Sequence, residues 1–86
     1  MEGSLDVWQG MMGIGGWTKK YFILSGSVLE CFSTRGGAVE AQIQLKVATV
    51  TKSRKKERNF TVMSGANWYK LKAASEELRE KWIEAL

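Results

Sequence analysis

The most informative stretch of the chain reads Gly-Trp-Thr-Lys-Lys-Tyr-Phe-Ile-Leu and covers residues 16–24. Its aromatic and β-branched residues predict a strand from Trp17 to Leu24. Alternate side chains of a strand point to opposite faces, so Lys20 shares a face with Phe22 and Leu24, and Lys19 lies on the other face. The strand therefore combines apolar residues that suit a core with basic residues that suit a binding site.

Short strands separated by turn residues account for most of the remaining chain. Residues 3–8 predict the first strand, and the four glycines of residues 9–16 predict a loop or a flexible hairpin tip. Five more strands are predicted at residues 28–33, 42–47, 49–52, 59–63 and 68–73.

The periodicity changes at Ser75, which suits the N-cap of a helix. The apolar stripe that follows predicts a C-terminal helix with one buried face, made of Leu78, Trp82, Ala85 and Leu86 with Ile83 beside them. The sequence thus predicts a single domain over residues 1–86. Its fold is mainly β, with seven antiparallel strands in a barrel or sandwich that one C-terminal α-helix caps.

The composition narrows the possible functions. The chain has one cysteine and no histidine, so an internal disulfide and a cysteine-rich zinc site are excluded. Four of the nine acidic residues lie in the predicted helix. We therefore predict no enzymatic activity, no metal and no cofactor. The predicted core contains Trp17, Phe22, Phe60, Leu71 and Trp82, and Cys31 is expected to be a small buried hydrophobic residue.

The positive charge is concentrated in the middle of the sequence. The net charge of the whole chain is +4, whereas residues 17–58 alone contain nine basic and three acidic residues. Residues 1–16 are weakly acidic, and residues 59–86 have equal numbers of both signs. This distribution predicts an anionic partner.

Five segments, in order, resemble a pleckstrin-homology domain over essentially the whole chain: residues 2–5, 16–24, 60–62, 71–77 and 81–86. The run from Met1 through Trp8, followed by a loop and the Gly-Trp pair of residues 16–17, is most similar to the domains of Golgi lipid-transfer proteins. These are the four-phosphate adaptors, oxysterol-binding proteins and ceramide transfer proteins. The resemblance implies phosphatidylinositol 4-phosphate as the ligand, often with a small GTPase as co-ligand. The single cysteine suits the reducing cytosol. We therefore predict a monomeric cytoplasmic protein at the periphery of a membrane, with Golgi and endosomal membranes as candidates.

The resemblance places a headgroup-binding residue at Lys20, at the open mouth of the barrel. Trp17, Thr18 and Lys19 belong to the same candidate site. The family usually has two further basic residues, where this chain has Val7 and Thr18. A solvated strand lysine is the alternative interpretation of Lys20.

A second candidate site lies in residues 52–58, where five of seven residues are basic. Turns from odd to even strands share one end of a meander, so we expect this loop to lie near residues 9–16. A headgroup would then bind between the two loops, at Lys52, Arg54, Lys55 and Lys56. The alternative is a hairpin tip whose charges only aid solubility.

The loop of residues 9–16 contains Met11, Met12 and Ile14 among its glycines. Exposed apolar clusters mark interaction surfaces, so we predict that these side chains insert into the lipid interface. Alternatively, Met12 or Ile14 folds back onto the core.

Three functions remain open at this point. The first is a membrane-targeting module that binds a phosphoinositide. The second is a protein-interaction domain with weak or no lipid specificity, which the missing basic residues at Val7 and Thr18 favour. The third is single-stranded nucleic-acid binding, which needs aromatic residues on an open sheet face. Because we assign most aromatic residues to the core, we predict no nucleic-acid partner.

Overall fold

The computed structural model describes residues 1–11, 14–65 and 67–86, with only the backbone of residues 10 and 11. These residues form a seven-stranded antiparallel sheet and a C-terminal helix, which confirms the predicted fold class. The elements are β1 Glu2–Met11, β2 Ile14–Ser25, β3 Val28–Phe32, β4 Val39–Gln44, a short 3-10 helix Leu45–Val47, β5 Ala48–Lys52, β6 Asn59–Ser64, β7 Asn67–Lys72 and α1 Glu76–Ala85.

Strand β1 lies at the centre of the sheet, whose order is β4-β3-β2-β1-β7-β6-β5. It pairs with β2 along its whole length, but it pairs with β7 at only two positions, Asp6 with Lys72 and Val7 with Leu71. Beyond Val7 the β1–β2 hairpin therefore continues without β7. An open groove lies at this divergence, beside Trp8 and Trp17.

The core lies on the inner face of the sheet. Leu5, Phe22, Phe60 and Leu71 are almost fully buried there, at alternate positions of their strands. Trp82 covers this core from α1. Burial of each such side chain contributes about 1.5–3 kcal/mol to folding. The predicted burial of Phe22, Phe60, Leu71, Trp82 and Cys31 is confirmed.

Two secondary-structure predictions need correction. Residues 9–16 belong to the far part of the β1–β2 hairpin, but they are largely strand and not loop, because the ladder continues to the pair Met11 and Ile14. Continuous backbone pairing outweighs the weak strand preference of glycine there. The predicted strand at residues 42–47 ends at Gln44, and the chain then forms a 3-10 turn in which Val47 is 72% exposed. The turn carries the chain from β4 to β5, which lie at opposite ends of the sheet order.

The predicted core position of Trp17 is also wrong, since this residue is 36% exposed. The alternation that directs Phe22 inward directs Trp17 outward, where it pairs with Trp8 of β1. On α1 the buried stripe runs through Arg79 and Trp82, whereas Leu78 is 40% exposed. Ala85, also predicted on the buried stripe, is exposed. Within the described ranges, no helix is long and apolar enough to span a bilayer.

Candidate anion-binding site

Lys20 lies on the inner face of β2, at the mouth of the fold. Its side chain is only 13% exposed, and its ammonium nitrogen lies 2.7 Å from a carboxylate oxygen of Glu40 in β4. The surrounding cavity of about 270 Å³ is otherwise lined by uncharged residues, among them Val7, Phe22 and Tyr69. The mouth therefore contains one cation and one anion, and it has no excess positive charge to attract a phosphate.

The outer face of the same hairpin has a different character. Trp8 and Trp17 are directly opposite each other in the register, with ring centroids 5.5 Å apart in an edge-on arrangement. The ammonium of Lys72 lies 4.4 Å from the centroid of the Trp17 ring, a favourable cation–π distance. The pairing of Asp6 with Lys72 brings β7 alongside the hairpin at this level.

An open groove of about 490 Å³ extends from Trp17 to the loop between β5 and β6. We call it the basic groove; its lining residues are Trp17, Lys55, Lys56, Glu57, Arg58, Asn59 and Lys72. Among the residues that the structure describes, no carboxylate forms a salt bridge with any of its four cations. The groove continues past Trp17 toward Trp8, Thr61 and Lys70.

Arg79 of α1 organises the loop that supplies these cations. Its side chain is buried, and its Nη1 donates hydrogen bonds to the carbonyls of Ser53, Lys56 and Asn59 at 3.1, 3.2 and 3.3 Å. Its Nη2 donates to Glu80 at 2.7 Å. These contacts fix the backbone from which Lys55, Lys56 and Arg58 project. Sequence reasoning missed Arg79; an arginine three residues before Trp82, on the same helix stripe, was the available signal.

Two titratable groups near these sites have shifted pKa values. The hydrogen bond from Arg79 lowers the pKa of Glu80, and the charge of nearby Lys52 acts in the same direction. Burial raises the pKa of the Cys31 thiol, Glu40 raises it further, and Lys20 opposes the shift. Cys31 is therefore a protonated, buried thiol at neutral pH.

The structure brings together only part of the predicted site. Trp17, Lys55 and Lys56 share the basic groove, whereas Lys20 lies on the opposite face of β2. The remaining candidates lie outside both the basic groove and the mouth. Lys52 pairs with Glu80 at 3.4 Å, and Arg54 and Thr18 are exposed without lining either cavity. Lys19 lines an adjoining groove with Asp6, Arg58 and Lys72.

The predicted apolar insertion can be assessed at one position. Ile14 is 81% exposed and lies at the start of β2. Met12 and the side chain of Met11 lie outside the described residues.

The chemistry of the basic groove suits phosphate. Arginine and lysine donate charge-assisted hydrogen bonds to phosphate oxygens, and an indole ring favours the boundary between water and lipid. Nowhere in the described ranges do three cysteine or carboxylate side chains converge as metal ligands. The exposed Trp8 and Trp17 lie beside Lys70 and Lys72. The expectation that most aromatic residues belong to the core is wrong, because among the described residues only Phe22, Phe60 and Trp82 are buried aromatics.

Comparison with known proteins agrees with this architecture. The family model described as pleckstrin homology domain matches residues 12–86. A RAC family serine/threonine-protein kinase homolog from Dictyostelium discoideum is 38% identical over 78 residues, which are 86% of this chain and 18% of that protein. The chain thus spans less than a fifth of that relative.

Two solved structures combine a similar fold with more than a quarter sequence identity. The PH domain of human oxysterol binding protein-related protein 11 is 26% identical, with a TM-score of 0.83 over 98% of this chain and 73% of that one. The C-terminal PH domain of pleckstrin, in complex with D-myo-Ins(1,2,3,5,6)P5, is 27% identical, with a TM-score of 0.84 over 99% and 88%. The chain belongs to the pleckstrin homology domain family.

Proposed function

We propose that this domain is a membrane-targeting module that binds a phosphoinositide headgroup in the basic groove. The observation that carries the proposal is the contrast between two sets of cations. Lys55, Lys56, Arg58 and Lys72 converge around Trp17 without salt-bridge partners among the described residues, whereas Lys20 at the mouth is paired with Glu40. The pleckstrin complexes with inositol pentakisphosphates support the ligand class.

The estimated binding free energies favour membrane binding by two contributions together, the attraction of basic residues to anionic lipid and the insertion of apolar side chains. A basic residue close to an anionic membrane surface contributes about 1 kcal/mol. Partial burial of Ile14, together with Met11 and Met12, adds an apolar term of roughly 2–4 kcal/mol in total. Neither term alone gives firm anchoring, since single weak anchors bind membranes reversibly. Together they make binding dependent on both the headgroup and the bilayer.

Among the phosphoinositides we propose phosphatidylinositol 4-phosphate. The reason is the resemblance of residues 1–8 and 16–17 to the domains of Golgi lipid-transfer proteins, and the similarity to the oxysterol binding protein-related domain supports it. A Golgi or endosomal location and a small GTPase co-ligand rest on the same resemblance and stay predictions.

A protein-interaction domain with weak lipid binding is the second candidate. The neutral mouth favours it, because Val7 and Thr18 replace basic residues and Glu40 balances Lys20. The two candidates differ in whether headgroup affinity resides in the basic groove.

Co-sedimentation with liposomes tests the proposal. The vesicles contain phosphatidylinositol 4-phosphate, another phosphoinositide or phosphatidylserine at matched charge. We expect the double substitution Lys55→Glu and Lys56→Glu to weaken phosphoinositide binding at least roughly thirtyfold, from about 1 kcal/mol per basic residue. The control is Lys46→Glu with Lys81→Glu, which changes the net charge equally at exposed residues outside the groove. This control variant should lose much less of its affinity for phosphoinositide vesicles.

The outcomes separate the alternatives. If Lys20→Ala abolishes binding and the groove variant does not, the headgroup binds at the mouth and the groove proposal fails. Absence of lipid binding supports the protein-interaction candidate. Salt-dependent binding to a single-stranded oligonucleotide, without lipid preference, supports the nucleic-acid alternative.

A further inference from the structure

A second cationic groove lies on the outer face of β2, next to the β3–β4 turn. It has a volume of about 500 Å³, and its lining residues are Ser4, Lys19, Lys20, Tyr21, Ser33, Thr34 and Arg35. We call it the hydroxyl cradle. The ammonium of Lys20 itself contacts Glu40 at the mouth. Lys19 also lines the small groove that contains Arg58 and Lys72, so the cradle is continuous with the basic groove over the outer surface.

The turn that forms one wall of the cradle is well defined. The amide of Gly37 donates to the carbonyl of Thr34 at 2.9 Å, and Gly36 has a φ of 77°, a conformation that favours glycine. The hydroxyl oxygens of Ser33 and Thr34 each lie 2.9 Å from the point where a Cβ on Gly37 would be. The two hydroxyls therefore converge, and a side chain at residue 37 would displace them.

Arg35 is held against the opposite wall. Its guanidinium carbon lies 6.0 Å from the centroid of the Tyr21 ring, and the Tyr21 hydroxyl donates a 2.6 Å hydrogen bond to Glu2. The hydrogen bond thus fixes the Tyr21 hydroxyl, and the exposed Arg35 lies at the outer limit of a cation–π contact with its ring. In the described part of the chain, neither Lys19 nor Arg35 forms a salt bridge.

We propose that the hydroxyl cradle binds the headgroup of a second anionic phospholipid, phosphatidylserine, while the basic groove holds the phosphoinositide. Lys19 and Arg35 suit its phosphodiester and carboxylate. The hydroxyls of Ser33 and Thr34, which both lie beside Gly37, accept hydrogen bonds from its ammonium group. This inference rests on the proposed membrane-targeting function, and it makes the domain a detector of two lipids.

The test compares vesicles that contain phosphatidylinositol 4-phosphate together with phosphatidylserine or phosphatidylglycerol, at equal total charge. We expect the native domain to prefer the phosphatidylserine vesicles. The double variant Lys19→Ala with Arg35→Ala should lose this preference and bind those vesicles roughly 25-fold more weakly, about fivefold per residue. Its control, Lys46→Ala with Lys81→Ala, removes the same charge outside both grooves.

A second variant tests the site without a change of charge. Thr34→Val removes one hydroxyl and should reduce the preference for phosphatidylserine over phosphatidylglycerol severalfold. Urea unfolding of each variant reports whether the fold is intact.

Two results would overturn the proposed phosphatidylserine site. One is an equal loss of affinity for both vesicle types in Lys19→Ala with Arg35→Ala, which indicates an effect of general surface charge. The other is no loss of affinity at all. If the proposed phosphoinositide site in the basic groove is wrong, a different set of binding results is expected. In that case Lys55→Glu with Lys56→Glu leaves the affinity for soluble inositol 1,4-bisphosphate unchanged, whatever the cradle variants do on phosphatidylserine vesicles.

Discussion

The ammonium nitrogen of Lys20 lies 2.7 Å from a carboxylate oxygen of Glu40, so the basic residue at the mouth already has an anionic partner. Lys20 is contributed by β2 and Glu40 by β4, on either side of β3. An incoming phosphate would have to compete with this carboxylate and would be repelled by it. The contact therefore explains why the mouth, despite its lysine, is the weaker candidate for the headgroup.

Replacement of Glu40 should increase anion binding at the mouth. In Glu40→Gln the charge of Lys20 is no longer balanced, and we expect the affinity for a soluble inositol phosphate to rise about three- to tenfold, as loss of one nearby charge implies. Isothermal titration calorimetry measures the change. The gain should disappear when Lys20→Ala is added; an unchanged affinity in Glu40→Gln itself would show that Lys20 is inaccessible to phosphate.

Loss of the Arg79 side chain should destabilise the fold and disorganise the basic groove. Arg79→Met leaves three carbonyls of the β5–β6 loop without their donor, and we expect a loss of roughly 2–4 kcal/mol in the free energy of unfolding. Urea denaturation measures this loss.

The substitution Arg79→Lys tests whether Arg79 positions the β5–β6 loop for binding or only stabilises the folded domain. The lysine keeps the charge but has no planar fork, so we expect selectivity among phosphoinositides to fall at least threefold while charge-driven binding to phosphatidylserine persists. If both kinds of binding change in parallel with the folded fraction, Arg79 only stabilises the domain.

The stability of the domain should decrease in acid, in part through Glu80. Its hydrogen bond to Arg79 lowers the pKa of Glu80 below the ordinary value of 4.5 in the folded state. The resulting stabilisation is present above the pKa of the unfolded chain, and it is lost as the pH falls through the lowered folded pKa. Urea midpoints measured from pH 6 down to about pH 2 should therefore fall less steeply for Glu80→Gln than for the native chain. Identical slopes would contradict this role.

Ile14 should contribute to binding to bilayers but not to soluble headgroups. It is 81% exposed, and partial burial in lipid gives about 1 kcal/mol, so Ile14→Ser should weaken vesicle binding roughly fivefold. Calorimetry with a soluble inositol phosphate provides the comparison. An equal loss in both measurements would place Ile14 at the headgroup site instead of in the membrane.

Local patterns in the sequence identified most of the secondary structure. The hydroxyl of Ser75 accepts a hydrogen bond from the amide of Leu78 at 3.1 Å, which confirms the predicted helix N-cap. The alternation in β2 correctly separated Lys20 from Lys19, and its strict use would also have placed Trp17 outside. These features depend on residues close together in the chain, so a single segment contains the information needed to predict them.

The sequence by itself therefore determined most of the strands and the capped helix, because periodicity and capping are local properties, and its resemblance to known domains indicated the family. Only the tertiary structure decided which cations are available. Glu40 lies 20 residues from Lys20, Lys72 lies 55 residues from Trp17, and the three carbonyls that Arg79 binds lie 20 to 26 residues from it, so these contacts depend on which elements become neighbours. The pairing of β1 with β7 brings Lys72 to Trp17, and the packing of α1 brings Arg79 beneath the basic loop. Side chains of similar charge thus acquire different roles through contacts that no single segment contains.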